Sequence, residues 1–219
     1  MKLLTINNFK TVKGEKLGVL TAILYLAPAK ISGIEVCPRR SPGCTASCLY
    51  SAGMGAFSNV QQARINKTKW YFENRPSFME QLTKDIVALE RKAKKLNMKP
   101  AIRLNGTSDL DWTLSGIMEE FPHITFYDYT KVLKRLKKEV PANYYITFSR
   151  SEINEKECEE ALELGFNIAA VFKNLPQQYM GRQVINGDET DVRFADGKGV
   201  VIGLTAKGRA RKDLSGFCI

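Results

Sequence analysis

Histidine is almost missing from this sequence: one, His123, stands among 219 residues. It falls at the predicted start of a strand and not at a strand end, which excludes histidine acid–base catalysis and histidine-rich metal sites. Long apolar runs are missing as well. The most apolar stretch, Val19 to Pro28, is too short to cross a bilayer, and the residues before it do not make a signal peptide. No glycine-rich fingerprint follows an early strand, which counts against a nucleotide-binding Rossmann domain. Neither a phosphate-binding P-loop nor a G-x-S-x-G elbow occurs. There is no C-x-x-C pair, no internal repeat and no low-complexity tract. These absences lead to the expectation of a cytoplasmic chain without membrane contact.

What is present suits one α/β domain spanning residues 1–219. The apolar fraction, 44%, is that of a globular protein with a full core. The formal net charge of +10 points to an anionic partner such as nucleic acid, nucleotide or phosphate, with plain solubility as the bland alternative. Five cysteines in a reducing compartment read as metal ligands or buried thiols.

Leu3 to Asn7 and Leu17 to Leu26 have strand character, the second as a near-continuous apolar run. Ser58-Asn-Val-Gln61 and Ser77-Phe-Met-Glu80 are capping-box signals. The first opens a helix to about Asn74; the second opens one with Leu82, Ile86, Leu89, Ala93 and Leu96 on one face. The chain then alternates. Strands are predicted at Ala101–Asn105, Ile124–Tyr127, Tyr144–Phe148, Ile168–Phe172 and Val200–Leu204, and helices at Leu110–Phe121, Val132–Glu139 and Asn154–Leu164 with Asn154 as a cap. Turn signals around Asp191–Phe194 predict a small antiparallel flap over about 182–199. The pattern predicts a mostly parallel sheet of about six strands, curled into a partial (β/α) barrel, with a cysteine loop after the first core strand.

That loop, Cys37-Pro-Arg-Arg-Ser-Pro-Gly-Cys44-Thr-Ala-Ser-Cys48, holds three of the five cysteines, and Cys218 is the penultimate residue. Structural zinc sites favour short cysteine pairs, often with histidine. Three local thiolates and one remote thiolate better fit a cubane [4Fe–4S] cluster, whose ligands splay around a larger object. Zn2+ is the alternative. If Cys48 opens a helical turn, Cys44 and Cys48 face the same group. Cys158 lies at helical spacing from Ala161 and Leu162 and reads as a buried helix cysteine.

Each predicted strand ends in a polar cluster carrying a cation. Arg103, Asn105, Ser108 and Asp109 follow one strand, Asp128, Tyr129 and Lys131 the next, and Ser149 and Arg150 the third; Lys173 and Lys207 follow the last two. Carboxyl ends of parallel strands converge on ligand sites, so these residues predict an anion pocket beside the metal. Taken singly, any of them is equally explained as a loop residue or a helix cap. Arg64 and Lys67 either join the pocket or lie exposed. Any proton transfer would fall to Asp109, Asp128, Tyr129 or a lysine.

Cys37…Gly43-Cys44…Cys48-Leu-Tyr50-Ser-Ala-Gly, Arg103-Leu-Asn-Gly-Thr-Ser-Asp109, Phe126-Tyr-Asp-Tyr-Thr-Lys131 and Phe148-Ser-Arg-Ser151 together resemble the phage gene product eighty-eight family. The resemblance implies a phage context, hence the cytoplasm of an infected host cell, and a cysteine-bound cluster. A looser likeness is to radical S-adenosylmethionine enzymes, which join a partial barrel to a three-cysteine loop. Their C-x-x-x-C-x-x-C leaves one iron open for the cofactor. Here the intervals are six and three residues, and Cys218 is placed to close the fourth position. The readings carried forward are a cluster protein with a nucleic-acid- or nucleotide-binding pocket, a cluster-dependent enzyme binding S-adenosylmethionine or another substrate, and a zinc-stapled interaction protein.

Overall fold

A computed structural model describes residues 1–6 and 9–219, with backbone alone at 9–11. Nine strands make one open sheet: β1 (Leu4–Thr5), β2 (Val19–Leu24), β3 (Lys99–Arg103), β4 (Thr125–Thr130), β5 (Tyr144–Ser149), β6 (Ile168–Phe172), β7 (Gln178–Tyr179), β8 (Arg182–Asn186) and β9 (Val201–Thr205). Their order is β1-β2-β3-β4-β5-β6-β9-β8-β7. From β2 to β6, and on to β9, each strand runs parallel to the one before it. All six expected core strands are present. The structure adds β8 parallel to β9, and β1 and β7 antiparallel at the two ends. The strand expected over Leu3–Asn7 is the two-residue β1, and Asn7 lies outside the described residues.

The predicted flap is displaced. Its hairpin is β7–β8, because Met180 and Gly181 both take left-handed backbone, φ 49 and 68, the pair a tight two-residue hairpin turn requires. Asp191–Phe194 is not a strand; Arg193–Ala195 forms a 3-10 turn lying across the sheet, with Val192 packed on Val19, Ala101 and Tyr127.

Strand alternation separates two faces. Ile102, Phe126, Ile146, Phe148 and Ala170 point into the main core, against Phe78, Leu82, Ile86 and Leu89 of the helix Arg75–Lys95. Ala101, Arg103 and Tyr127 point the other way. The expected apolar stripe of this helix is buried except for Leu96, which is exposed. Its cap is Asn74, whose side chain accepts from the Ser77 amide, with Pro76 in the first turn. The preceding helix, Ser58–Glu73, starts where expected, but Phe57 is its cap and Ser58 makes no capping bond.

Two expected helices shrink. Gly116, left-handed at φ 73, breaks the 110–121 segment into a 3-10 turn, Trp112–Ser115, and a single α-turn, Ile117–Glu120. Residues 132–139 keep only the 3-10 turn Leu133–Arg135, because the Arg135 guanidinium is drawn inward to Asp109, Thr130 and Tyr144. The helix Glu155–Glu163 forms as predicted, with Cys158 fully buried; Asn154 is its N-cap residue, though its side chain makes no capping bond and accepts from the Ser151 amide instead. Among the described residues no helix is long and apolar enough to cross a membrane.

Candidate functional site

Cys37 follows β2 on a loop tied to the chain after β3. Its sulfur accepts from the Ala29 amide at 3.4 Å and donates to the Thr107 carbonyl at 3.7 Å, while Asp109 N donates to Val36 O at 2.8 Å. Cys44 sits in a one-turn helix, Pro42–Ala46, opened by Ser41, whose hydroxyl accepts from the Cys44 amide. Glu152, after β5, clamps this turn: its carboxylate accepts from Ser41 Oγ at 2.6 Å and from Gly43 N at 2.7 Å. Burial acts to raise the Glu152 pKa, but these bonds hold it below the ordinary carboxylate value. Cys48 closes the turn, its amide donating to Thr45 O, and leads into the 3-10 turn Leu49–Ser51. An open cleft of about 570 Å³, lined by Cys37, Arg40, Ser41 and Thr45, gives the loop access to solvent.

The C-terminal segment reaches the same place. The β5–β6 pairing ends at Ser149–Ala169, and beyond it Val171 pairs in parallel with Cys218. The Ile219 amide donates to Val171 O at 3.0 Å, and Lys173 N donates to Ile219 O at 2.7 Å. Arg150 Nη1 grips the Gly216 and Phe217 carbonyls at 2.6 and 2.9 Å, and Asp213 accepts from Cys218 N at 3.0 Å. Cys44 packs against the small cluster of Ala206, Ala210, Phe217 and Cys218. The 37–48 loop and the tail therefore meet, with Cys44 packed by Cys218, while Cys48 and Cys44 both bear on the Cys37 thiol.

Burial pushes the Cys37 thiol up to about 12, with Cys48, Asp109 and Cys44 adding to the rise. Burial also raises Cys48, against the pull of Arg64 and Lys131, and raises Cys218 together with Asp213. Thiols this shielded keep their protons at neutral pH. Among the described residues no three His, Cys, Asp or Glu side chains close to the spacing of a single metal ion.

The strand-end residues divide into three groups. Lys131 belongs to the cysteine neighbourhood: it influences Cys48, lies 5.7 Å from the Phe217 ring and donates to Ser149 Oγ at 2.9 Å. Lys173 is exposed beside Cys218. Asp109, near Cys37, accepts from Thr130 Oγ1, Lys131 N and Arg135 Nη1. A second group is scaffold. Asn105 Oδ1 accepts from Ser108 Oγ, Leu110 N and Trp112 Nε1, and the Asn105 amide donates to Asp128 at 2.7 Å. Asp128 is fully buried, and burial pushes its carboxyl up to about 7 against the pull of Arg135.

The third group is already neutralised. Arg103 pairs with Asp191 at 3.3 Å and lies 4.4 Å from the Tyr129 ring centre. Burial works against its charge, but Asp191 and the tyrosines more than restore it. Burial raises the Tyr129 hydroxyl pKa, and Asp191 adds to that rise. Lys207 faces Asp188 at 2.6 Å, and Arg150 is committed to the tail carbonyls. The expected open ring of five cations is therefore much reduced.

Arg64, which sequence left undecided, is 8% exposed and lies over the Tyr25 and Tyr50 rings, at 4.7 and 5.8 Å, near Cys48. Its buried Nε and Nη1 have no hydrogen-bond partner among the described residues. Lys67, one turn on, instead ties down the N-terminus by donating to Leu3 O at 2.7 Å. A signal for both was present: the buried positions of their helix are Arg64, Lys67, Thr68 and Tyr71, a stripe of polar residues where an ordinary amphipathic helix is apolar. Glu152, Asp213 and Asp191 left no such signal, since each acts on residues remote in sequence or on backbone. His123 pairs with Glu90 on the surface, away from all of this.

No curated protein and no solved structure matches the chain. The likeness to radical S-adenosylmethionine enzymes gains no support there, and the tail-borne Cys218 beside Cys44 departs from a loop that leaves one iron open. A family model described as Gene product 88 matches residues 1–219. Matched over its whole length, the chain belongs to the phage gene product 88 family.

Proposed function

We propose that this chain is an iron–sulfur protein of the infected host's cytoplasm, in which Cys37, Cys44, Cys48 and Cys218 hold a [4Fe–4S] cluster closed on all four irons. The observation that carries the reading is the route of the tail: a β-bridge, an arginine grip and an aspartate bond deliver a chain-end cysteine to the loop bearing the other three. A tetrahedral zinc site would gather sulfurs at about 2.3 Å from one point, hence about 3.8 Å apart. No three His, Cys, Asp or Glu donors among the described residues are so gathered.

Bound there, such a cluster supplies one-electron transfer or a rigid staple between loop and tail. The chain's own contribution is electrostatic and geometric. Arg64 and Lys131 offset thiolate charge at Cys48, and Glu152 and Asp213 fix the two backbones that present Cys44 and Cys218. We also read the sheet as part of a βα barrel. Parallel strands following in chain order from β2 to β6 and on to β9, with the 75–95 and 155–163 helices packed on the main-core face, support this, and the thiols then sit at the carboxyl ends of the strands. The basic balance serves an anionic partner, nucleic acid or nucleotide, beside the cluster.

The test is the absorption spectrum of anaerobically purified protein, with iron, sulfide and zinc assayed on the same sample. A brown protein with broad absorption near ~400 nm and equal iron and sulfide is expected. A colourless protein with stoichiometric zinc refutes the cluster.

A further inference from the structure

We infer that the turn Gly208–Lys212, with the exposed apolar side chains of the neighbouring 49–57 segment, binds single-stranded nucleic acid. The inference rests on the anionic-partner part of the reading above, not on the cluster. Arg209, Arg211 and Lys212 are exposed, and no ion pair joins them to a carboxylate among the described residues. Arg39, Arg40 and Lys207, by contrast, each face one: Glu157, Glu35 and Asp188. The next acid in the chain, Asp213, is turned inward to Ser215 Oγ and Cys218 N. Three unneutralised cations on one short turn are a binding element for a polyanion.

The fold holds that turn in place. Just after β9, Ala206 N donates to Phe172 O at 2.9 Å. Gly208 then takes left-handed backbone, φ 56, where an added Cβ would lie 2.9 Å from Ala52 Cβ. That contact sets the cations beside the segment carrying Leu49, Met54 and Phe57, which are 54%, 70% and 56% exposed. A single strand satisfies both halves of the surface, with phosphates on the cations and base faces on the apolar trio. A duplex hides its base faces within the stack, and an acidic peptide leaves the apolar trio without a flat partner.

The test measures fluorescence anisotropy of labelled oligothymidylate and oligouridylate with the purified protein at about 50 to 200 mM salt. Three phosphate contacts give a slope of log K against log salt near about −2, so affinity should fall roughly 20-fold across that range. Replacing Arg209, Arg211 and Lys212 together by Gln should weaken binding and flatten the slope, with melting temperature and iron content unchanged. Phe57→Ala should weaken binding with the slope retained. The inference is overturned if the wild-type protein binds neither strand, or if the triple variant keeps the wild-type affinity and slope. It is also overturned if polyglutamate displaces the strand as well as unlabelled oligonucleotide does, which makes this a surface for an acidic protein. A zinc-loaded protein that binds with the expected slope refutes the cluster and supports this inference.

Discussion

The proposed ligand role of Cys218 and its anchoring of the tail are separable, and two variants divide them. Cys218→Ser keeps the backbone: the bond to Asp213, the bridge to Val171 and the Ile219 contacts all survive. Deleting Cys218 and Ile219 removes three hydrogen bonds of the tail backbone, Cys218 N to the Asp213 carboxylate, Ile219 N to Val171 O and Lys173 N to Ile219 O. At ~0.5–1.5 kcal/mol net for each of the two neutral bonds and ~1.5–3 kcal/mol for the one to the carboxylate, the deletion should cost the metal-free protein roughly 2.5–6 kcal/mol. For a chain of this size that lowers the melting temperature by roughly 5–24 °C. The serine variant should stay within about 4 °C of wild type when metal-free, yet lose most of the iron and sulfide that wild type retains through gel filtration. Melting curves on metal-free samples and iron and sulfide assays on reconstituted ones measure the two roles independently. Full iron and an unchanged visible spectrum in Cys218→Ser would sink the assignment of the fourth ligand. A truncated protein melting with wild type would sink the anchor.

Asp128→Asn tests the buried carboxyl. Its folded pKa, about 7, lies above the unfolded value, so the stability it contributes is full below pH ~4 and is lost as pH rises toward 7. The gap corresponds to at most ~4 kcal/mol, so the variant should gain on wild type by up to that amount across this window in urea melts; a difference independent of pH refutes it. Gly43→Ala would place a Cβ 2.7 Å from Phe217 Cβ, 2.8 Å from Glu152 Oε1 and against Ser215 Oγ. Overpacking of this kind costs ~1–3 kcal/mol, and because it pushes the loop from the tail, iron retention should drop with the melting temperature. Unchanged values for both would show that loop and tail do not meet here.

The parts of the fold legible in sequence were those fixed by local pattern. The run Val19–Leu24 is buried at every position, as its near-continuous apolar character requires, and the stripe of the 75–95 helix is dry over four of its five positions. What local pattern missed was decided by partners far away. Residues 132–139 have helical periodicity, but Arg135 is 26 positions from the carboxylate that claims it, and one turn is all that survives. The 188–196 segment carries turn residues and reads as a flap. It crosses the sheet because Asp191 answers Arg103 and Tyr127, 88 and 64 positions away.

The same reasoning decides where an anion can bind. A strand-end arginine in a parallel sheet is legible as a residue type, but whether its charge is free depends on burial. A buried guanidinium left unpaired is costly, so the fold supplies Asp191 to Arg103, Asp109 to Arg135 and Asp196 to Arg193, and backbone carbonyls to Arg150. Each match removes a cation from the pool open to ligand. Arg64 departs from that rule: no carboxylate pairs with it among the described residues, and its guanidinium lies over the Tyr25 and Tyr50 rings near Cys48. Reading strand-end cations as a ring therefore finds the right end of the sheet and overcounts the charge available there. The turn preceding Cys218 places three exposed cations within four residues, none paired with a carboxylate among the described residues.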